Sequence, residues 1–246
     1  LCERGKAGFR LTPKGEQVLQ ATYRLLQAID VFKGEAQGMA DQLIGELRIG
    51  LSEALESRVL EQIGAAIGRF RQRNQAVQIE LISAMPAELE RRLLQDQLQL
   101  AIGYFSGNQN ALDHQLLFSE QQTLYCAASH PLFSQPVITR EELDRCDHVQ
   151  HAYRSISIHQ PLQASLSSAR CEQAEGSLAL ILSGAHIAYL PEHIAAPWVA
   201  NGRLRALLPE QLGFNVDFHL TSHRGRHPGD AQLAFVEDML GAFGPA

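Results

Sequence analysis

The chain has 246 residues and a formal net charge of −6. It is long enough to bury a large core, and the negative charge argues against a surface that binds nucleic acid along its whole length. The four cysteines show no CxxC spacing, which favours free thiols in a reducing compartment. No stretch approaches the roughly 18 apolar residues of a membrane span, so we expect a cytoplasmic protein without a membrane partner.

The first residues are basic, unlike the rest of the chain. Residues 1–14 carry a net charge of +3 from four basic side chains and one acidic one, namely Arg4, Lys6, Arg10, Lys14 and Glu3. Gly5 and Gly8 flank a turn between two short strands, and Thr12 before Pro13 is typical of a helix N-cap. The sequence predicts a hairpin whose Arg4, Lys6 and Arg10 contact DNA phosphates or the minor groove. A solvated surface hairpin is the alternative.

A long amphipathic helix follows the hairpin. Its seam positions recur at alternating spacings of four and three residues, and they are Val18, Thr22, Leu25, Ile29, Phe32, Ala36 and Met39. So narrow a seam is typical of a helix that pairs with another helix, whereas a helix packed on its own domain usually shows a wider apolar stripe. The pattern predicts a dimerisation helix and hinge over 13–44, with packing on the chain's own body as the alternative. Pairing of two chains would fix the spacing of two DNA half-sites.

Strand and helix patterns alternate after residue 45. The first series predicts strands at 47–51, 77–81 and 100–104, with helices at 59–70 and 89–98 between them. The second series predicts strands at 148–152, 169–171, 187–190 and 216–221, with helices at 175–183, 191–200 and 233–243. This order is typical of βαβ units, and it predicts two α/β groups with mostly parallel strands.

Several motifs, in this order, resemble those of LysR-type transcriptional regulators. Leu1–Arg4 and Leu11–Glu16 resemble that family's L-F-x-R and L-T-x-x-G signatures. The later matching segments are Gly45–Gly50, Leu98–Ile102, His130–Leu132 and Gly184–Pro191. The resemblance covers the whole chain, and it rests on the order and spacing of the motifs together.

The resemblance implies a winged helix-turn-helix, most of which would precede Leu1, followed by a two-lobed effector domain like a periplasmic binding protein. That domain is α/β, with two mixed sheets joined by two crossover strands. The implied segments are a wing remnant at 1–12, the linker helix and hinge at 13–44, and the effector domain at 45–246. Within the last, one lobe would span about 46–122 and 222–246, and the other about 123–221. The implied partners are DNA, a small-molecule effector and further copies in a homodimer or homotetramer.

In two-lobed α/β proteins, small molecules bind in the crevice at the carboxyl ends of parallel strands. The candidate effector ligands are therefore the residues at predicted strand ends and helix starts: Ser52, Ser57, Ser83, Met85, Tyr104, Phe105, His151, Tyr153, Gln173, Glu175 and Ser177. Helix N-termini at such a crevice present free N–H groups, which favours an anionic effector. The alternative for each residue is a cap or turn role, and Ser57 and Ser177 in particular are suited to capping helices.

No catalytic, metal or cofactor signature stands out in the sequence. His219, His223 and His227 recur every four residues, but Pro228 and Gly229 predict that the third histidine lies in a loop. Neither a G-x-S-x-G elbow nor a glycine-rich phosphate loop is present. We therefore expect a transcriptional regulator without enzymatic activity, cofactor or metal. A two-lobed solute-binding protein, or an enzyme on the same body, is the alternative.

Overall fold

The computed structural model describes residues 1–5, 8–37, 45–73, 76–105, 110–151, 160–162 and 165–244. Its first element is the predicted hairpin, in which β1 (Cys2–Gly5) pairs antiparallel with β2 (Gly8–Leu11). Helix α1 (Pro13–Gln37) follows, and the Gly15 amide donates a 3.0 Å hydrogen bond to Thr12 Oγ1. The predicted hairpin and N-cap are thus both confirmed. Arg4 lies in β1 and Arg10 is exposed on β2, whereas Lys6 is outside the described residues.

Helix α1 exposes its apolar seam. Among the seam side chains, Val18 is 48% exposed, Leu25 60%, Ile29 38% and Phe32 68%. Thr22 donates its hydroxyl hydrogen to the Val18 carbonyl oxygen at 2.9 Å. Of the two remaining seam positions, the Ala36 side chain and the whole of Met39 lie outside what the structure describes. The chain's own body therefore does not bury the described seam, and pairing with a second copy stays a prediction.

Residues 45–244 form two groups of elements linked by two long strands. The first group in chain order is β3 (Gly45–Leu51), α2 (Ser57–Arg73), β4 (Val77–Ser83), α3 (Pro86–Leu94) and β5 (Leu100–Gly103). The chain then crosses through β6 (Leu112–Ala127) into the second group: a 3-10 turn (Pro131–Ser134), α4 (Arg140–Asp144), β7 (Val149–His151), β8 (Ala169–Cys171), α5 (Ala174–Leu182), β9 (Ala188–Pro191), α6 (Glu192–Ala200), β10 (Leu204–Ala206) and α7 (Pro209–Leu212). It returns through β11 (Phe214–His223) and ends with α8 (Asp230–Phe243), which packs on the first group. We call the first group with α8 the first lobe, and the second group the second lobe.

The two long strands belong to both lobes. β3 pairs in parallel with β4 and with β5, while β11 pairs antiparallel with β5 and with β6. β6 also pairs antiparallel with β9 and β10 in the second lobe, and β7 pairs in parallel with β8. This mixed α/β arrangement with two crossing strands confirms the predicted fold class. The predicted lobe boundaries fall inside the shared strands β6 and β11, so the exact division stays a prediction.

The first lobe has a closed apolar core between its sheet and two helices. The inward face of α2 buries Val59, Ile63, Ala66 and Phe70, as the helical spacing predicts. Phe70 and Phe235 of α8 meet edge to face with ring centroids 5.5 Å apart. At the end of α2, Arg73 forms a 2.8 Å ion pair with the nearly buried Asp238. The second lobe has its own core, which includes Leu124, Leu143, Ile187, Leu190 and Leu204.

Two sequence-based expectations need correction. Leu98 was expected on the helical face that holds Leu89 and Leu93, but α3 ends at Leu94. The left-handed backbone of Asp96 (φ 62°) turns the chain, and Leu98 then reaches the same core from a loop. The sequence patterns also did not predict β6, the longest strand described here, because its middle part is polar rather than alternating.

Candidate functional site

The ends of three parallel strands meet the second lobe at a cavity of about 120 Å³, which we call the interlobe cleft. Ser52 follows β3, Tyr104 follows β5, and Met85 stands between β4 and α3. On the opposite side lie the end of β7 and the start of α5. The crossing strands β6 and β11 contribute lining residues from both lobes. This is the crevice position that parallel α/β topology makes available to a ligand.

Seven of the predicted effector ligands line the cleft together: Ser52, Met85, Tyr104, His151, Gln173, Glu175 and Ser177. Three others do not line it. Phe105 is buried in the first-lobe cluster with Leu89 and Leu93, while Ser57 is the exposed first residue of α2 and Ser83 is the exposed last residue of β4. Tyr153 lies outside the described residues. The strand-end rule therefore identified residues of the cleft, but it also selected neighbouring residues whose side chains lie elsewhere. Contact with an effector stays a prediction for every one of them.

The cleft has further lining residues that strand ends did not predict: Glu53, Ala54, Pro86, Glu120, Gln122, Val149, Gln160, Glu172, Ala174, Tyr189, Pro191, Phe214, Val216 and Phe218. Two of the polar ones, Glu53 and Glu172, lie directly beside predicted residues. Glu120 and Gln122 are different because they lie in the middle of β6. A polar stretch inside an otherwise apolar strand is the signal that could have identified them, since a strand that crosses between two lobes exposes its middle to the cleft.

Glu120 is the buried carboxylate of the cleft, with 9% of its side chain exposed. Gln122 Nε2 donates a 2.7 Å hydrogen bond to Glu120 Oε1, and His193 Nδ1 lies 3.4 Å from Oε2. Burial, with a smaller contribution from the nearby carboxylate of Glu56, raises the pKa of Glu120 to about 7 against the opposing effect of the hydrogen bond from Gln122. Burial of the Glu120 carboxylate is therefore unfavourable unless a proton or a cation neutralises its charge.

Two contacts hold the lobes together beside the cleft. Gln173 Nε2 donates a hydrogen bond to Glu53 Oε2 across the opening. His193 Nε2 lies 3.0 Å from the carbonyl oxygen of Ala54, a geometry in which Nε2 carries the proton and donates it. Ala54 has a left-handed backbone (φ 58°), which is unfavourable for a residue with a side chain. A ligand in the cleft would lie against both of these contacts.

Carboxylates dominate the charge of the described lining. Four glutamates line the cleft, namely Glu53, Glu120, Glu172 and Glu175, and the lining residues that the structure describes include no lysine or arginine. The first turn of α5 does point at the cleft, and its N-cap residue Gln173 makes no side-chain cap bond. Glu172 and Glu175 flank that helix start, however, so their charges offset the attraction of its N–H groups for an anion. The anionic effector that the helix starts predict therefore stays a prediction, which the acidic side chains of the described lining do not favour.

Aromatic rings form the apolar part of the wall. Tyr104 meets Phe218 edge to face at 5.4 Å between ring centroids, and Tyr189 meets Phe214 in the same way at 5.0 Å. Burial raises the pKa of Tyr104 to about 12, with further contributions from Glu120 and Glu53, so its hydroxyl stays protonated. Ser52 is 3% exposed, and its Oγ makes no hydrogen bond among the described residues. Gly103 leaves room for this side chain, because a Cβ added at Gly103 would lie 3.2 Å from Ser52 Cβ.

Comparisons with known proteins agree with this architecture. The model of the LysR substrate binding domain matches residues 40–244. The chain is 34% identical over 240 residues to the HTH-type transcriptional activator BauR of Pseudomonas aeruginosa, covering 96% of this chain and 79% of that protein. It is 25% identical over 249 residues to the HTH-type transcriptional regulator YfiE of Escherichia coli, covering 95% of this chain and 80% of that one.

Solved structures show the same fold. CrgA, a LysR-type transcriptional regulator from Neisseria meningitidis, aligns over 100% of this chain and 84% of its own with a TM-score of 0.59 at 18% identity. The effector binding domain of QuiR in complex with shikimate aligns over 80% of this chain and 96% of its own, with a TM-score of 0.65 at 14% identity. Among the described helices, none is both long and apolar enough to cross a bilayer. The chain belongs to the LysR family of transcriptional regulators.

Proposed function

We propose that the interlobe cleft is the effector site of this regulator and that its occupant is a small metabolite. The observation that carries the proposal is the convergence of three parallel strand ends, the start of α5 and both crossing strands on one cavity. Its volume of about 120 Å³ is close to the roughly 150 Å³ of an engineered protein cavity that admits benzene. A compact ligand is therefore expected.

Binding is proposed to act on the contacts between the lobes. The bond from Gln173 to Glu53 and the contact of His193 with Ala54 both join one lobe to the other beside the cleft. A ligand that makes different contacts in open and closed arrangements would shift the population between them. Helix α1 contacts β3, the strand that ends at the cleft, so a change in the first lobe has a route to the N-terminal helix.

The remaining parts of the regulator are assigned by the same reasoning. We propose that α1 pairs two chains through its exposed seam in a homodimer or homotetramer, and that Arg4, Lys6 and Arg10 help the complete protein to bind DNA in the cytoplasm. The relatives described above are transcriptional regulators, and we propose no enzymatic activity for this chain. The exposure of Val18, Leu25, Ile29 and Phe32 supports the pairing.

A cleft-filling substitution tests the proposed effector site. Met85→Trp places a large ring at the cleft wall, whereas Leu60→Trp adds the same ring to the exposed face of α2, where Leu60 is 49% exposed. A panel of cationic, neutral and anionic metabolites is screened for an increase in melting temperature. Compounds that stabilise the wild type should stabilise Leu60→Trp but not Met85→Trp. Equal stabilisation of all three proteins, or of none by any compound, would overturn the proposal.

A further inference from the structure

We propose that the effector carries a protonated amine, held by the carboxylate of Glu120 with the hydroxyl of Ser52 as a second acceptor. This inference rests on the proposed function of the cleft and specifies the chemical class of its ligand. Two separate features of the described lining support it: carboxylates without a lysine or arginine partner, and an unpaired buried hydroxyl beside aromatic rings.

The four carboxylates of the cleft differ in how far they are exposed and in whether they already have a partner. Glu172 and Glu175 are exposed at the rim, and Glu53 already accepts a hydrogen bond from Gln173. Glu120 alone of the four has its side chain buried, and the described part of the lining includes no lysine or arginine; the basic group beside it is His193, whose Nδ1 lies 3.4 Å from Oε2 and is charged only if the ring is protonated. Burying an ionised carboxylate is costly unless a charge of opposite sign accompanies it. A ligand ammonium supplies that charge, and the three other carboxylates add to its attraction.

The second argument comes from Ser52. Its Oγ is buried without a partner among the described residues, on a residue that lines the same cavity. A buried hydroxyl without a partner is unfavourable, and such exceptions in a folded protein call for an explanation. An ammonium has three N–H donors and needs more than one acceptor. Ser52 Oγ and Glu120 together provide acceptors of the right kind.

The walls are suited to the same ligand. Tyr104, Tyr189, Phe214 and Phe218 all line the cleft. Aromatic faces attract cations, and the attraction is stronger where water is excluded. A carboxylate ligand would instead meet four glutamates and the negative faces of these rings. The lining thus discriminates between an amine and an acid of equal size.

Protons link binding to pH. Because burial raises the pKa of Glu120, the empty cleft can hold this carboxyl uncharged, with Gln122 Nε2 and His193 Nδ1 beside its two oxygens. An ammonium favours the ionised carboxylate, and Glu120 then releases its proton on binding. The other ionisable groups near Glu120 are Glu53, Glu56 and Tyr104, and none of them supplies a positive charge. Affinity should therefore rise with pH through the pKa of Glu120, about 7.

The test compares charge classes on matched proteins. Short alkyl amines, diamines and amino acids are titrated beside alkyl carboxylates and alcohols of equal length, using wild type, Glu120→Gln and Glu61→Gln. Glu61 is an exposed residue of α2 outside the cleft, so its variant controls for the loss of one charge. We expect amine-bearing compounds to bind wild type and Glu61→Gln, and to bind Glu120→Gln roughly tenfold or more weakly.

The possible failures are distinguishable. One outcome is that only carboxylates or alcohols bind, that their binding is lost in Met85→Trp, and that Glu120→Gln does not affect it. This result would overturn the amine proposal while leaving the effector site in place. Amines that bind equally well to Met85→Trp and wild type would overturn the effector site itself, and the amine proposal with it. A melting temperature of Glu120→Gln equal to or above that of the wild type shows that weaker binding is not caused by unfolding.

Discussion

Helices α1 and α2 carry apolar faces with the same residue spacing, but only the face of α2 is covered. On α2, Val59, Ile63 and Phe70 are each at most 3% exposed because they pack on the sheet and on α8. On α1, Leu25 and Phe32 are more than half exposed. Both helices have the same periodicity, so the difference lies in what the chain supplies to cover them. An apolar face left uncovered indicates where a second molecule binds.

Like the exposed seam of α1, the cleft contains groups without a partner in the described structure, but here these groups are polar. Near the core, Arg73 and Asp238 satisfy each other across α2 and α8. In the described part of the cleft, the Ser52 hydroxyl has no hydrogen-bond partner and Glu120 has no lysine or arginine beside it. Groups that the chain leaves unmatched thus define two surfaces of different chemistry, an apolar one that we propose for another copy and a polar one that we propose for a small ligand. Four substitutions test this comparison.

The largest effect is expected from Phe70→Ala in the covered face. Loss of this fully buried ring should lower the free energy of unfolding by about 3–5 kcal/mol, because a cavity is left between α2 and α8. Phe32→Ala removes the same side chain from the uncovered face and should leave the stability of the isolated chain nearly unchanged. Urea denaturation at low protein concentration measures both. Similar losses in the two variants would show that α1 packs on its own body.

Leu25→Asp should weaken self-association by more than roughly tenfold, since it places a charge in the predicted apolar seam. The control is Gln17→Asp, which adds the same charge to an exposed polar position of α1. Sedimentation equilibrium measures the dissociation constant of each variant. The prediction is contradicted if the wild type is monomeric at micromolar concentration, or if both variants associate as the wild type does.

Glu120→Gln should raise the free energy of unfolding by about 1–3 kcal/mol at about pH 8 in the absence of ligand. The folded protein holds a proton on Glu120 up to about pH 7, whereas the unfolded chain releases it near the ordinary pKa of 4.5. Stability of the wild type therefore falls as pH rises between these values, and the glutamine variant lacks that loss. Thermal unfolding across this pH range measures the effect. Parallel curves for the two proteins would refute it, and Glu61→Gln should follow the wild type.

Ser52→Ala is expected to have the smallest effect on stability. Removing an unpaired buried hydroxyl should leave the free energy of unfolding unchanged or raise it by less than about 1 kcal/mol. The variant should nevertheless bind an amine-bearing compound several-fold more weakly, because one acceptor is missing. Calorimetric titration with the best compound from the charge-class comparison measures the difference. Full affinity in Ser52→Ala would remove this residue from the site.

Local patterns predicted most elements because a buried face repeats at the period of its own strand or helix. β3, α2, β4, β8 and α5 lie where alternation or helical spacing indicates. β6 was missed since its middle faces the cleft and the crossing strand β11, so burial there does not alternate simply with the sequence. Leu98 was misplaced because one left-handed residue, Asp96, reversed the chain without interrupting the apolar spacing.

The cleft was predictable only in part, for a related reason. Ser52 and Tyr104 follow strands that the sequence reveals, and the parallel topology brings such ends together. Glu120 reaches the cleft from the interior of a strand, which depends on pairing with residues about a hundred positions later in the chain. The sign of the ligand's charge depends on that residue. Helix starts considered alone therefore led to an anion, whereas the assembled lining favours a cation.

We propose that a small molecule in the cleft contacts both lobes of this regulator and holds them together. Hydrogen–deuterium exchange with and without the strongest binding compound tests it most directly. We predict slower exchange on both sides of the cleft, at 52–54 and 102–105 in the first lobe and at 173–178 in the second, and no such change in Met85→Trp. Protection confined to one lobe, or found only away from these segments, would contradict the claim.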